Sequence, residues 1–217
     1  TGAVRRYNHD ERDGETIATA FTNDVNEVSV LAHHRQVGRL KGSFGGWAMT
    51  RMFLSEGEEA LSPQVDQKAV AGFLYEEATL TPHVSFQFGA RVDHTTFTPD
   101  GLADRSFTNL SGSLGLLMRP TDQTTIALNA ALAARNPALE ELYFEGPHAG
   151  NNAFEVGDAT LESERATGFD VSIRHQSGRL AGEVAYFYND VRNFIFRRLT
   201  GDIEDDLAVA EFAQGDA

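Results

Sequence analysis

The chain has 217 residues, of which 41% are hydrophobic and 23% are charged, and its formal net charge is −14. Such an acidic chain lacks the basic face that neutralises phosphates, so neither nucleic-acid binding nor peripheral docking on an anionic membrane surface is expected. The absence of Cys excludes a disulfide framework, a thiolate metal site and a thiol nucleophile.

The first third of the chain alternates only weakly before residue 40, and it contains a candidate ligand contact. His9 is followed by Asp10 and Glu11, and imidazole with carboxylate oxygen is a ligand set that suits zinc. We therefore predict that these residues lie in an early external loop. In contrast, His33 and His34 point to opposite faces of a strand and cannot share one ion from it.

Later segments alternate apolar and polar residues with the period of two that is typical of a strand with two different faces. The clearest examples are residues 84–93, 110–118, 126–135, 167–174 and 180–189. The charged residues on the polar sides of these segments include Arg91, Asp93, Asp170, Arg174 and Glu183. Averaging over such strands explains a mean hydropathy of only −0.32 without excluding a membrane protein.

The lengths of these segments and of their connections favour a membrane barrel. The strands have about ten residues, as a tilted spanning strand requires, whereas strands of soluble sheets average about five or six. Short turns are predicted at residues 36–39, 81–83, 119–122 and 177–178, and long loops at 54–66, 98–106, 136–163 and 197–207. Alternating short and long connections predict an all-β, transmembrane, antiparallel up-and-down β-barrel, present here in part, with about nine or ten strands.

Aromatic and acidic residues add two expectations to this architecture. Aromatic residues near strand ends would form interfacial girdles; they are Phe44, Trp47, Phe53, Phe97, Phe107, Phe187, Tyr188, Phe194 and Phe196. The long loops carry much of the negative charge, which predicts a negative vestibule that concentrates cations.

The most distinctive stretch runs from Arg135-Asn136-Pro137 to Leu161-Glu162-Ser163-Glu164. Between them lie Glu141-Leu142-Tyr143, Gly146-Pro147-His148 and Phe154-Glu155-Val156-Gly157, and residues 137–144 have the pattern of a short helix. This series resembles the late barrel region of TonB-dependent outer-membrane receptors, where it bridges two strands through a long external loop. The resemblance extends from about Tyr7 to Ala217.

Three further segments carry the resemblance. Residues 57–63 are similar to a loop in the branch of the family that includes zinc-uptake receptors, residues 89–93 to its recurring Gly-x-Arg-x-Asp unit, and residues 211–217 to the start of another strand. The resemblance implies that residues 1–217 are an internal part of the barrel domain. The plug domain, the TonB-contacting segment and the closing strands would lie outside them.

The resemblance also implies a function. Such a receptor is a multi-pass protein in the outer membrane of a Gram-negative-type bacterium. It binds a scarce nutrient, such as a metal ion or a metal chelate, and imports it into the periplasm with energy supplied by a TonB-type partner acting on the plug. The five charged residues on the polar strand faces would then face the lumen, the apolar faces would contact outer-membrane lipid, and neither a cofactor nor a catalytic residue is expected.

His148 is the candidate metal contact within this loop. Glu145 precedes it, Asp158 follows it, and a transient zinc site would use imidazole nitrogen and carboxylate oxygen. The alternative is that Gly146-Pro147-His148 is a structural turn shared by receptors of many substrates.

Two other functions share part of this evidence. A passive porin has the same strand periodicity, and a soluble β-rich binding protein has the same composition. An enzyme is not expected, because no Gly-x-Ser-x-Gly elbow is present and no His lies in a recognisable catalytic frame.

Overall fold

The computed structural model describes residues 1–13, 15–57 and 60–217, and most of them form one antiparallel sheet of nine strands. Each strand of this sheet pairs with its neighbours in chain order, which is the up-and-down arrangement that the sequence predicts. The strands are β1 Gly2–Asp13, β2 Thr16–Val37, β3 Leu40–Gly57, β4 Val65–Thr81, β5 Val84–Pro99, β6 Arg105–Thr121, β7 Thr124–Arg135, β10 Glu164–Gln176 and β11 Ala181–Arg192. The early loop predicted at His9 is wrong, because that residue lies within β1.

A second, smaller sheet contains four strands in the order β12-β13-β9-β8. Its elements, with the helices beside it, are α1 Leu139–Tyr143, β8 Glu145–His148, the 3₁₀ turn Ala149–Asn151, β9 Ala153–Val156, β12 Phe194–Glu204 and β13 Leu207–Gly215. The loop predicted at 197–207 is therefore wrong: these residues belong mainly to the β12–β13 hairpin, and β13 also pairs in parallel with β9. We call residues 136–163 and 194–215 together the cap.

The connections of the large sheet are short at one end and longer at the other. At the short-turn end, the hydroxyls of Thr81 and Thr121 accept hydrogen bonds from the backbone N–H groups of His83 and Gln123, at 3.2 and 3.3 Å. Threonine side chains therefore stabilise both turns. The loops after β3, β5 and β7 lie at the opposite, long-loop end. Within the described part of the chain, no helix is long and apolar enough to cross a membrane.

Strand register sorts the residues of the large sheet onto two different faces. One face, which we call the apolar face, exposes large hydrophobic side chains, for example Val28, Phe44, Val70, Leu110 and Val184. The other face is covered by the cap at the long-loop end, and we call it the capped face. A sheet with one apolar and one polar face fits a barrel wall between lipid and an aqueous interior.

The hydrophobic core lies between the capped face and the cap. Phe53, Phe97 and Phe107 of the sheet are no more than 7% exposed, and they contact buried residues of the cap. The prediction that these three aromatic residues form part of an interfacial girdle is therefore wrong. Phe44 and Tyr188 are exposed on the apolar face, as a girdle requires. Register places Phe187 and Trp47 on the capped face, so the girdle prediction is wrong for these two residues as well.

Candidate functional site in the cap

Arg135, at the end of β7, is the junction that fixes both ends of the long loop. Its guanidinium lies 2.6 Å from the carboxylate of Glu164 and 2.9 Å from that of Glu141. Glu141 also accepts a hydrogen bond from the backbone N–H of Ala138 at 2.7 Å, which caps α1. Glu164 accepts one from the backbone N–H of Ile195 at 2.7 Å. Three charged residues of the distinctive stretch thus join β7, α1, β10 and β12.

The loop packs through a short amphipathic helix. One side of α1 buries Leu139, Leu142 and Tyr143, and the full cluster is Phe53, Leu61, Val65, Phe97, Phe107, Leu139, Leu142, Tyr143, Phe144, Leu161 and Ile195. Gly157 lies against the helix so closely that a Cβ there would be 2.8 Å from the backbone of Leu142 and Tyr143. Close packing therefore explains both the Glu-Leu-Tyr and the Phe-Glu-x-Gly segments.

The hydroxyl of Tyr143 has an unusual environment. The residue is 5% exposed, and its oxygen has no hydrogen-bond partner among the described residues. Burial raises the pKa of this phenol above its ordinary value, so the hydroxyl stays protonated.

Because an unsatisfied buried hydroxyl costs free energy, we expect Tyr143→Phe to leave cap stability unchanged or to raise it by up to about 1 kcal/mol. Thermal unfolding of the full-length protein in detergent measures this. A loss of more than about 1 kcal/mol would show that the hydroxyl has a partner that the protein needs.

Glu155 on β9 is the centre of a buried polar network. Its carboxylate accepts hydrogen bonds from Asn151 and Arg197, both at 2.6 Å, and lies 3.0 Å from Nδ1 of His148. Glu155 is 2% exposed, so its charge requires these partners. The network joins the long loop to β12 of the hairpin.

The pKa of Glu155 reflects two opposing effects. Burial alone would raise it, but the hydrogen bonds from His148, Arg197 and Asn151 outweigh burial, and the pKa lies below its ordinary value. The carboxylate is thus ionised at neutral pH.

The predicted companions of His148 lie elsewhere. Asp158 accepts the N–H and the hydroxyl of Thr160, at 2.7 and 2.6 Å, in a local turn. Glu145 is exposed, and its N–H bonds to the carbonyl of Leu61. Among the residues that the structure describes, no three His, Asp or Glu side chains converge in a way that could hold a metal ion.

His9 lies at the long-loop end of β1, on the capped face. Its ring stacks on those of Tyr7 and Phe21, with centroids 6.2 and 6.0 Å apart, and its Nε2 is 3.9 Å from Glu11. Asp10, the next residue, points to the opposite face. Strand geometry therefore separates the predicted pair His9 and Asp10.

A row of rings connects this histidine to the cap. Successive ring contacts at about 6 Å run through Tyr7, His9, Phe21, Phe53, Phe144 and His148. Arg51 lies over the ring of Phe53, at 5.3 Å, and forms an ion pair with Glu140 at 3.0 Å. The row crosses β1, β2 and β3 and docks the loop on them.

The five charged strand residues share the capped face. Arg91 lies over the ring of Trp47 at 5.9 Å and 3.6 Å from Asp93. Asp170 accepts a hydrogen bond from Asn129 at 2.8 Å, and Arg174 pairs with Glu183 at 2.8 Å. Register places all of them opposite the apolar residues.

Ion pairs offset part of the negative charge of the cap. Glu140, Glu141 and Glu155 contact Arg51, Arg135 and Arg197, respectively. The predicted Gly-Glu-Glu loop adds two more acids, Glu58 and Glu59, which lie outside the described residues. Most other acids of the cap, such as Glu145, Asp202 and Asp205, have no ion pair among the described residues, so the negative vestibule stays a prediction.

Comparison with known proteins identifies this architecture. A family model described as TonB dependent receptor-like, beta-barrel, matches residues 3–214. The chain belongs to this TonB-dependent receptor family. The match covers the large sheet and nearly all of the cap, so both are parts of the family's barrel domain.

The sequence identity between this TonB-dependent receptor chain and the relatives compared with it is low. The chain is 25% identical to transferrin-binding protein A of Haemophilus influenzae over 118 residues, which are 54% of this chain and 13% of that protein. It superimposes on the hemophore receptor HasR of Serratia marcescens with a TM-score of 0.72 and 14% identity, covering 92% of this chain and 38% of HasR. It superimposes on the copper transporter OprC with a TM-score of 0.73 and 15% identity, and the match covers 91% of this chain and 33% of OprC.

These solved structures show the fold of the TonB-dependent receptor chain. It is an antiparallel up-and-down wall of a transmembrane β-barrel, unclosed in these residues. The chain spans about a third of the length of those structures, and about an eighth of the curated relative.

Proposed function

We propose that this chain forms the wall and the external cap of an outer-membrane receptor that binds a scarce nutrient and imports it into the periplasm. Family membership and the cap that folds over the capped face support this proposal. A passive pore needs no folded cover over its interior. In our proposal the capped face lines the lumen, with Arg91, Asp93, Asp170, Arg174 and Glu183 along it.

The class of nutrient follows from the relatives and from the chemistry of the cap. Solved structures of similar fold include a copper transporter, a siderophore receptor and a hemophore receptor in complex with its hemophore and heme, and these relatives support a metal ion or a metal chelate. Import would draw on a TonB-type energy-transducing partner, and the chain itself would carry out no catalysis.

Uptake measurements in cells test this function. We expect bacteria that express the intact receptor to accumulate labelled iron, copper or zinc, or one of their chelates, faster than cells that lack it. The gain should vanish when TonB is deleted or the proton gradient is collapsed. Uptake that continues without TonB would instead establish a passive channel.

We also retain the external histidines as candidate contacts for the nutrient. Nδ1 of His148 faces Glu155, which leaves Nε2 as the nitrogen for a ligand, and His9 is exposed on the capped face. Of the candidate carboxylates, Glu145 and Asp158 lie apart from His148, and Asp10 points away from His9, so in our proposal each would contact the nutrient independently of the histidines.

A zinc titration by calorimetry on the intact receptor tests His148. We expect His148→Ala to weaken zinc binding at least tenfold. A Glu155→Gln variant, which disturbs the same network but keeps the imidazole, should retain the affinity. Equal affinities of the wild type and His148→Ala would remove His148 from the site.

A further inference from the structure

On the apolar face, one pair of polar side chains connects two strands that are not neighbours in the sheet. Nε2 of His34 on β2 lies 2.9 and 3.0 Å from the two carboxylate oxygens of Glu76 on β4. Strand β3 lies between these strands, and its residue Gly42 is the register partner of both His34 and Glu76. The two side chains therefore meet over the backbone of Gly42.

The absence of a side chain at position 42 is what lets the pair form. A Cβ at Gly42 would lie 2.6 Å from the carboxyl carbon of Glu76, which is closer than real Cβ atoms approach other atoms. Any other residue at this position would therefore push the carboxylate away from His34. The contact depends on a glycine in the intervening strand, so it is more specific than an ion pair between freely exposed side chains.

The surroundings of the pair are apolar. Among the described residues, its neighbours on this face are Phe44, Leu74, Ala78 and Phe88, and none of them is charged. The side chains of His34 and Glu76 are only 27% and 19% exposed. Ionisable groups on the outer surface of a membrane barrel are costly, and they are usually paired and functional.

Hydrogen-bond chemistry fixes the number of protons that the pair holds. Nδ1 of His34 lies 2.8 Å from the carbonyl oxygen of Arg35, which can only accept, so Nδ1 carries a proton. Nε2 faces a carboxylate, and an unprotonated nitrogen beside an ionised carboxylate would bring two acceptors together. A second proton must therefore lie between Nε2 and the carboxylate of Glu76.

The other charged groups at this end of the sheet do not replace either partner. They are His33, Arg35, Arg39, Lys41 and Glu77. His33, Lys41 and Glu77 point to the capped face, where Lys41 and Glu77 pair at 3.0 Å. Arg35 and Arg39 are exposed near the turn, and Arg39 donates to a backbone carbonyl of β4 at 2.9 Å. Strand β5 brings only the uncharged Gln87 and Phe88 to this level.

We propose that His34 and Glu76 form a proton-dependent clamp that ties β2 to β4 across β3 near the short-turn end of the wall. With the shared proton, the clamp links two strands that do not pair with each other; without it, two acceptors face each other and the link is lost. Free histidine gives up its proton around pH 6.5, so the stabilisation is complete below about that pH and is lost as the pH rises above it. This device is independent of the nutrient that the receptor imports.

Hydrogen exchange of the full-length protein in a nonionic detergent tests the clamp. We expect the protection of residues 32–34 and 42–44, relative to the intrinsic exchange rate at each pH, to fall about tenfold between about pH 6 and about pH 8.5. The protection of residues 21–25, at the other end of β2, should not change. The imidazole NMR signals of His34 should titrate at a pH above that of free histidine.

His34→Gln and Glu76→Gln each remove one titrating partner but keep a side chain that forms hydrogen bonds, so both should abolish the pH dependence. Lys41→Gln is the matched control, because it breaks the neighbouring pair with Glu77 on the other face and should keep the wild-type behaviour. If one glutamine variant does not fold, the other variant and the NMR titration of the wild type still decide. A wild type whose protection does not change with pH, a glutamine variant that keeps the change, or imidazole signals that titrate at or below about pH 6.5 would overturn the proposal.

Discussion

Replacing Glu155 with Ala is expected to release the long loop from the β12–β13 hairpin. The change leaves Arg197, Asn151 and His148 without their shared acceptor in a largely buried place. Hydrogen bonds to charged groups contribute about 1.5–3 kcal/mol each, but Arg197 is half exposed and regains water, so we expect a net loss of about 2–3 kcal/mol. This corresponds to roughly a 30- to 160-fold increase in local opening.

Amide hydrogen exchange of β8 and β9 in the intact receptor measures this opening. Glu145→Ala is the control, since Glu145 lies in the same loop, is exposed and has no ion pair among the described residues. Its exchange should match that of the wild type. Equal exchange in the two variants would contradict a structural role for the Glu155 carboxylate.

The lowered pKa of Glu155 gives the same contact a pH dependence. A group whose folded-state pKa is depressed stabilises the fold fully above its unfolded value, and the ordinary value for Glu is 4.5. This stability is lost as the pH falls below 4.5 and through the lower folded-state pKa. The protection of the β8 and β9 amides, relative to the intrinsic exchange rate at each pH, should therefore fall in that window in the wild type and much less in Glu155→Gln.

Replacing Leu142 with Ala is expected to have the second large effect. Leu142 is 2% exposed in the core between α1 and the sheet. Truncating a buried Leu to Ala costs about 2–5 kcal/mol, depending on how far the cavity collapses. Because Leu142 belongs to the cap, the loss should be confined to residues 139–161 and should leave the pairing of β4 with β5 intact.

Limited proteolysis and hydrogen exchange of the intact receptor distinguish local from global loss. Leu199→Ala is the matched control, because Leu199 lies on the hairpin and is 69% exposed. It should change stability by less than about 0.5 kcal/mol. A Leu142→Ala receptor whose cap resists protease as well as the wild type would show that the cap does not depend on this core.

Sequence periodicity predicted the later strands of the large sheet but not β1 and β2, where alternation is weak. The alternating segments 84–93, 110–118 and 167–174 lie within β5, β6 and β10, although these strands extend up to six residues further. Their register is strongly specified, because one face of each strand is apolar and a one-residue slip would expose the wrong face. The long connection at 136–163 was located by the series of motifs from Arg135 to Glu164, and it agrees with β7 ending at Arg135 and β10 beginning at Glu164.

The small sheet could not be predicted in this way. Strands β8 and β9 have four residues each, too few for a period to appear, and β9 pairs in parallel with a strand more than fifty residues later. The hairpin was missed because both of its faces carry arginine, Arg197 on one and Arg198 on the other, so polarity does not alternate.

The candidate site shows the same limit at the level of side chains. His148 was identified from its loop, but its carboxylate partner is Glu155 rather than Glu145 or Asp158. Arg197 was not considered, since 42 residues separate it from Glu155 and only the folded cap brings them together. Arg135, Glu141 and Glu164 were recognised as parts of a series, whereas the ion pairs that join them required the structure.

The most direct test of this account is the exchange protection of three cap amides in the intact receptor. The N–H groups of Gly157 and Asp158 donate hydrogen bonds to the carbonyls of Phe144 and Glu141, at 2.6 and 2.9 Å. The N–H of Glu145 donates to the carbonyl of Leu61 at 2.7 Å. A cap folded onto the sheet predicts that all three exchange at least a hundredfold more slowly than unstructured amides. Exchange at the unstructured rate would mean that residues 136–163 are an open loop, and the cap would no longer support the proposed function.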